Sequence, residues 1–156
     1  MAKITEIMLL EQAEQTALII EKRGEMSTFS QLIGESFLKI ASYLENLEKL
    51  PCDIPFVEYP AYEEMTDKDI RMLIGMYTPE TLPSEGEIQS VVIPKRKIVV
   101  CLHRGSYNEL ADLYSEMAEW IKAKGYEPSG TSIEHYYTHP GVPESEHITR
   151  IVMPVQ

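Results

Sequence analysis

Basic residues are scarce in this chain: 14 lysines and arginines stand against 25 aspartates and glutamates, which gives a formal net charge of −11. The electric field of so acidic a protein does not attract DNA, RNA or an anionic membrane surface. We therefore expect no direct nucleic-acid binding, and we interpret most of the charge as a solubilising surface.

Long apolar segments and cysteines are also few. No stretch approaches the ~20 apolar residues that a membrane-spanning helix needs, and the N-terminus lacks the apolar core and cleavage site of a secretory signal. Cys52 and Cys101 stand far apart and in no motif, so they are predicted to be reduced structural thiols. These absences predict a cytoplasmic protein with no membrane partner.

Several motifs of large enzyme classes are missing as well. The chain has no G-x-x-x-x-G-K-[ST] or G-x-G-x-x-G phosphate loop. Nor does any Ser–His–Asp or Cys–His arrangement stand out from the sequence. We therefore expect no cofactor, and the sequence assigns no catalytic nucleophile.

The 156 residues have the length of one domain, taken here as 1–156. Two similar runs of elements, about 3–80 and 85–156, predict an internal repeat with pseudo-two-fold symmetry. The resulting class is α+β: an antiparallel sheet with two helices packed across it, and a ligand cleft between the repeated units. The predicted strands are "KITEIMLL", "QTALIIEKRG", "PFVEYPAY", "IRMLIGMY", "EIQSVVIP", "RKIVVCLHRG", "TSIEHYY" and "ITRIVMPV".

Both predicted helices carry one apolar stripe at three- and four-residue spacing. Capping boxes are predicted at their starts, Thr28 with Gln31 and Ser106 with Glu109, and Gly125 is predicted to end the second helix. The stripes also bring aromatic side chains toward the sheet, and we interpret most of these as core. The aromatic residues are Phe29 and Phe37 in the first helix, and Tyr114 and Trp120 in the second.

The segment "GTSIEHYYTHPG", residues 130–141, concentrates a glutamate, two tyrosines and two histidines. His135 and His139 have the spacing of a helical zinc site, but the local sequence favours a strand. Four strand residues span roughly 13 Å, too far for two imidazoles to share a metal. We therefore predict no metal site, with these histidines and His147 at the surface or in turns.

On a strand, Glu134 and Tyr136 point to one face while His135 points to the other. If the Glu134 face meets the helices, a carboxylate enters an aromatic interior, where it has a raised pKa or awaits a cation. If that face meets water, Glu134 is an ordinary edge-strand residue. Glu58 and Tyr59 occupy the corresponding strand of the first run. The strand pattern alone leaves both interpretations open.

Residues 88–155 resemble the GyrI-like small-molecule-binding domain, also called the bacterial transcription activator effector-binding domain. The resemblance lies in "RGSYNEL", the helix "YSEMAEWIKAKGY", the E-x-Y strand of 130–141 and the closing "TRIVMPV". It continues, more weakly but collinearly, over 3–80. The family's buried pocket glutamate falls on Glu134, with Tyr136 two residues on. The resemblance thus implies a hydrophobic pocket that has Glu134 in its wall.

From this resemblance we expect a stand-alone binder of hydrophobic, amphipathic and particularly cationic aromatic compounds, since no helix-turn-helix accompanies the domain. Glu134 supplies the countercharge, Tyr136, Tyr59 and Trp120 supply ring faces, and Tyr107 supplies a hydroxyl. Two alternatives remain open. One is hydrolysis of strained cyclopropane-bearing electrophiles by Glu134, and the other is a gyrase-inhibitor-like module with a protein partner. No pattern assigns an oligomeric state.

Overall fold

The computed structural model describes residues 3–139 and 141–156. These residues form strands and two long helices, connected by loops and short helical turns. In chain order the elements are β1 (Met8–Gln12), β2 (Gln15–Gly24), α1 (Phe29–Asn46), β3 (Phe56–Tyr59), β4 (Ile70–Thr78), β5 (Gln89–Ile93), β6 (Arg96–Arg104), α2 (Leu110–Ala123), β7 (Ser132–Tyr136) and β8 (Ile148–Val155).

The strands form one 8-stranded sheet, in the order β1-β6-β8-β7-β3-β4-β2-β5, and neighbouring strands are antiparallel. The run β2–α1–β3–β4 and the run β6–α2–β7–β8 have the same order of elements. They occupy matching places on either side of the sheet centre. Their preceding strands are exchanged, because β1 pairs with β6 and β5 pairs with β2. The two runs therefore meet at β3 and β7, where Val57 lies opposite Glu134.

The sheet is curled, so that one of its faces packs against itself. Ala17 and Ile19 of β2 share a buried cluster with Ile98 and Val100 of β6, although four strands separate β2 from β6 in the sheet. In a flat sheet each step between strands is about 4.8 Å, which would keep these side chains well apart. The twist of the strands bends the sheet until its inner face closes over an apolar core.

The two helices cover the other face. In α1, Ile40 and Leu44 are buried against residues of β2 and β4. In α2, Met117 and Ile121 are buried against residues of β6 and β8. The apolar spacing of each helix matches the period of 3.6 residues per turn, so each stripe lies on the sheet.

Both helices end in a left-handed residue, and the N–H of the residue after it donates back to the last turn of the helix. After α1 this residue is Glu48, with φ 58°, and Lys49 N–H donates to the carbonyl of Leu44 at 2.9 Å. After α2 it is Gly125, with φ 81°, and Tyr126 N–H donates to the carbonyl of Ile121 at 3.0 Å. Gly125 ends α2 as predicted, because glycine adopts this conformation without a steric penalty.

The two predicted capping boxes are wrong. Thr28 precedes α1, but no side-chain hydrogen bond caps the helix, and Gln31 Nε2 donates to Glu35 Oε1 instead. Ser106 precedes a short helical turn, Tyr107–Glu109, and likewise caps nothing with its side chain. Because this turn lies between Ser106 and the helix, α2 begins only at Leu110. The Ser106–Glu109 motif does not distinguish such a turn from the first turn of a helix.

The α+β class is confirmed, since one antiparallel sheet carries two helices. Cys101 is buried, as expected of a structural thiol, whereas Cys52 is exposed, and neither forms a disulfide. In 3–139 and 141–156, neither helix combines the length and apolarity needed to cross a membrane.

Replacement of Gly75 with alanine will destabilise the fold. An added Cβ would lie 2.5 Å from Phe56 Cζ and 2.9 Å from both Ile19 Cγ2 and the carbonyl oxygen of Leu18. We expect Gly75→Ala to lower the free energy of unfolding by about 1–3 kcal/mol, measured by urea denaturation.

The matched control is Gly34→Ala on the exposed side of α1, where nothing lies within 4 Å of an added Cβ. This substitution should raise the free energy of unfolding by about 0.5–1 kcal/mol, because alanine favours the helix. A Gly75→Ala protein as stable as the wild type would contradict the close packing of β2, β3 and β4 at this point.

Candidate functional site

The candidate site lies on the helix-covered face of the sheet, where β7 meets α2. Ser132, Glu134 and Tyr136 alternate along β7 and therefore share one face. Tyr114 of α2 lies over this face and contacts two of these side chains. The interpretation that places Glu134 toward the helices is thus the one that the structure supports.

Two tyrosine hydroxyls bind the carboxylate of Glu134. Tyr114 donates to Oε2 at 2.5 Å, and Tyr136 donates to Oε1 at 2.9 Å. Each of these hydroxyls has a further partner: the Tyr114 oxygen lies 3.0 Å from Ser132 Oγ, and the Tyr136 oxygen lies 3.3 Å from the hydroxyl of Tyr59. The five side chains form one hydrogen-bonded network, which joins α2, β7 and β3.

The direction of these bonds follows from counting protons. A hydroxyl has one proton to donate, and Tyr114 and Tyr136 use theirs on Glu134. Ser132 and Tyr59 must therefore donate to the two tyrosine oxygens. The protons of all four hydroxyls are then directed inward, toward a single carboxylate.

Burial raises the pKa of Glu134 above its ordinary value, and the hydrogen bonds from Tyr114 and Tyr136 oppose part of this rise. Burial, followed by the negative charge of Glu134, raises the pKa of Tyr114 and Tyr136. In 3–139 and 141–156, no lysine or arginine forms an ion pair with Glu134. The charge of this carboxylate is therefore stabilised by hydroxyl dipoles alone.

Aromatic rings surround the carboxylate on several sides. The Tyr62 ring meets that of Tyr114 edge to face, with centroids 5.3 Å apart. The Tyr107 ring meets that of Tyr136 in the same manner at 5.6 Å. Glu134 keeps part of its surface accessible, and Tyr107, 47% exposed, marks the solvent side of the cluster.

Four of the five predicted ligand-binding residues come together here: Glu134, Tyr136, Tyr59 and Tyr107. The structure does not bring Trp120 to them. Its ring packs beside the α2 core and lines a depression of about 360 Å³ with Lys3, Glu6 and Ile7. A helix turns about 100° per residue, which directs Trp120 about 120° away from Tyr114 around α2.

The site also contains Tyr114, Ser132 and Tyr62, which were not predicted as binding residues from the sequence. Tyr114 occupies an apolar position of the α2 stripe and was interpreted as core. A hydroxyl-bearing ring in a stripe whose other members carry no hydroxyl was the available signal. Ser132 could have been found from strand alternation, because it lies two residues before Glu134.

The opposite face of β3 and β7 has a different composition. Glu58 lies there and not on the site, because it is the cross-strand partner of Ile133, whereas Val57 is the partner of Glu134. Of the two residues noted on the corresponding strand of the first run, Tyr59 reaches the site and Glu58 does not. The site contains a single carboxylate, and the matching place in the other half is occupied by a valine.

The prediction that the histidines lie at the surface or in turns is wrong for His135, which is buried within β7, whereas His147 directly follows the turn Glu144–Glu146 but is buried as well. His135 is 2% exposed and His147 is 7% exposed. His135 stacks on Tyr77, its Nε2 lies 2.9 Å from the Tyr77 hydroxyl, and burial lowers its pKa to about 4. The curl of the sheet, which the sequence does not show, buries this face. In the part of the chain described, no group of three or more metal-ligating side chains clusters together.

A curled antiparallel sheet with two helices on one face, and a tyrosine-bound carboxylate between helix and sheet, defines an α+β domain with one acidic site. The GyrI-like small molecule binding domain matches residues 5–156, and the chain belongs to this family. A search of curated proteins gives no match.

Solved structures share the fold. The EcmrR C-terminal domain has a TM-score of 0.73 at 21% identity, over 98% of each chain. A hydrolase from Listeria innocua has a TM-score of 0.70 at 11% identity, over 97% of this chain and 92% of that one. SAV2435 bound to tetraphenylphosphonium has a TM-score of 0.65 at 16% identity, over 97% and 94%. This chain spans 57% of EcmrR in its complex with DNA. At sequence identities this low, the structural similarity shows only that these proteins share a fold.

The pH dependence of stability will report the buried Glu134. Because its folded-state pKa lies above the ordinary value of 4.5, the folded protein binds this proton more tightly than the unfolded chain. The stabilising effect is present below pH 4.5 and is lost as the pH rises through the folded pKa, by about 1.4 kcal/mol for each pH unit between the two values.

The measurement is urea denaturation of wild type and Glu134→Gln between pH 4 and 8, about the range in which stability is usually maximal. The stability of the variant relative to wild type should increase with pH and then level off. A difference that stays flat across this range would mean that Glu134 titrates as an exposed glutamate does.

Proposed function

We propose that this protein binds bulky organic cations with apolar or aromatic groups, and that Glu134 is the countercharge. The observation that carries this proposal is a carboxylate buried among tyrosines without a basic partner. The membership of a small-molecule-binding family supplies the general activity, and the chemistry of the site selects the class of ligand.

Electrostatics favour a positive ligand. A buried carboxylate without a countercharge is destabilising, and a cation placed beside it removes that penalty. The interaction is stronger than at the surface because the surrounding rings exclude water and lower the local dielectric constant. The binding of a cation will also lower the pKa of Glu134 and so favour its ionised form.

The rings supply the second attraction. Tyr114, Tyr136, Tyr59 and Tyr107 present aromatic surface around one charge, and a cation over such a ring gains ~0.5–2 kcal/mol. Rings also accommodate apolar substituents without requiring specific hydrogen bonds. This combination suits quaternary or phosphonium ions that carry aryl groups.

The directions of the hydrogen bonds in the network disfavour a negatively charged ligand. Since the four hydroxyl protons of the network already point toward Glu134, none is free to bind an anion. A neutral ligand would leave the buried charge of Glu134 without a counter-ion. The single carboxylate, faced by Val57 instead of a second acid, fits a single positive charge. Among the relatives of similar fold, SAV2435 is a protein bound to such a cation, tetraphenylphosphonium.

Binding of tetraphenylphosphonium, followed by isothermal titration calorimetry at pH 8, tests the proposal. Glu134→Gln removes the charge and keeps the size of the side chain. We expect it to weaken binding about 10- to 100-fold, since it replaces an ion pair in a desolvated site with a neutral contact.

Glu58→Gln is the matched control. Glu58 lies on the neighbouring strand, also has its pKa raised by burial, and points to the opposite face, so its loss should leave the affinity unchanged. If Glu134→Gln binds as tightly as wild type, or both variants lose affinity equally, the carboxylate of Glu134 is not the countercharge.

Hydrolysis of a strained electrophile is the second candidate. A carboxyl group whose pKa is raised by burial is suited to proton transfer near neutral pH, and Tyr114 and Tyr136 hold both of its oxygens in place. Incubation with a cyclopropane-bearing electrophile should then yield product faster than buffer does, and Glu134→Gln should abolish the excess. A wild-type rate equal to that of buffer would exclude this candidate.

A further inference from the structure

A row of buried polar side chains continues from Tyr136 across the helix-covered face of the sheet. Thr149 of β8 is the cross-strand partner of Tyr136, and His103 of β6 is the cross-strand partner of Thr149. Directly opposed residues of antiparallel strands project to the same face. The row therefore lies on the face that carries Glu134, and both Thr149 and His103 are 0% exposed.

The polar atoms of this row have no protein partners. Thr149 Oγ1 and both ring nitrogens of His103 form no hydrogen bond within residues 3–139 and 141–156. The nearby carboxylate of Glu109 lies 3.9 Å from His103 Nε2, which is too long for a hydrogen bond. Buried polar groups are almost always paired because leaving them unpaired is destabilising. Three adjacent unpaired atoms thus indicate a place for a polar group.

One short turn lies along the row. The turn Tyr107–Glu109 begins over Tyr136, against which the Tyr107 ring packs at 5.6 Å, and it ends with Glu109 beside His103. Gly105, with φ 136°, leads into this turn. Tyr107 at the start of this turn is 47% exposed, so the row lies beneath a turn that borders the solvent side of the Glu134 site.

We propose that Thr149 and His103 form a second, polar part of the Glu134 site, which takes a hydroxyl group at the far end of the bound cation. This inference rests on the proposed function. Two steps between strands, about 10 Å in all, separate His103 from Tyr136. The ligand class is therefore a bulky cation with a flexible arm that ends in a neutral hydrogen-bonding group.

A hydroxyl fits the chemistry of the row. Burial lowers the pKa of His103, and the nearby charge of Glu109 only partly opposes this, so the imidazole is neutral and offers one donor and one acceptor. The hydroxyl of Thr149 can donate and accept as well. An anionic group would be repelled by the Glu109 carboxylate beside His103, whereas a hydroxyl can pair with both side chains of the row.

Two probes that differ only in the terminal hydroxyl test the inference: hydroxybutyl-triphenylphosphonium and butyl-triphenylphosphonium. By calorimetry, wild type should bind the hydroxyl probe about fivefold more tightly, as expected of one added hydrogen bond. In Thr149→Val the preference should fall below about twofold, while the affinity for the butyl probe stays unchanged.

Thr149→Val should keep its fold, because it has the same shape and removes an unpaired hydroxyl, and its urea midpoint should rise. Thr16→Val is the control: the Thr16 hydroxyl donates to the carbonyl of Thr78, away from the row, so the preference should survive. Equal binding of both probes by wild type, or a preference that persists in Thr149→Val, overturns the inference. If wild type fails to bind even the butyl probe, the proposed function falls as well.

Discussion

The hydrogen bonds between Glu134 and its two tyrosines are the interaction on which the arrangement of this domain depends. A carboxylate in an apolar interior is tolerated only with good partners, and here the partners come from α2 and from β7 itself. Because Tyr136 also meets Tyr59 of β3, the same network connects the two central strands. The apolar stripe of α2 and the pairing of β3 with β7 hold these elements together, and the network joins all three of them at one carboxylate.

The two faces of the central strands carry different kinds of side chain. On the inner face the curl of the sheet brings β2 and β6 into one apolar core, with His135 stacked on Tyr77 inside it. On the helix-covered face the hydroxyls and rings enclose Glu134. Strand alternation places the buried His135 and the tyrosine-bound Glu134 one residue apart in the chain, and the sheet keeps them on opposite sides.

The matching topology of the two halves makes their chemical difference informative. Tyr59 and Tyr136 approach each other from both central strands, but Glu134 faces a valine, Val57. The site therefore holds one negative charge off-centre within an otherwise similar frame. The polar row of Thr149 and His103 adjoins Tyr136 in the second run, so the polar side chains near Glu134 extend toward β6.

The sequence by itself determined the order of strands and helices, the stripes that lie on the sheet, and the common face of Glu134 and Tyr136. Each follows from periodicity over neighbouring residues, which the chain fixes locally. It did not determine the burial of His135, the distance of Trp120 from the site, or the meeting of Tyr114 with Glu134. Those depend on the curl of the sheet and the rotation of α2, which result from packing between residues distant in the chain. Only the tertiary structure decided them, because long-range packing overrides local preference.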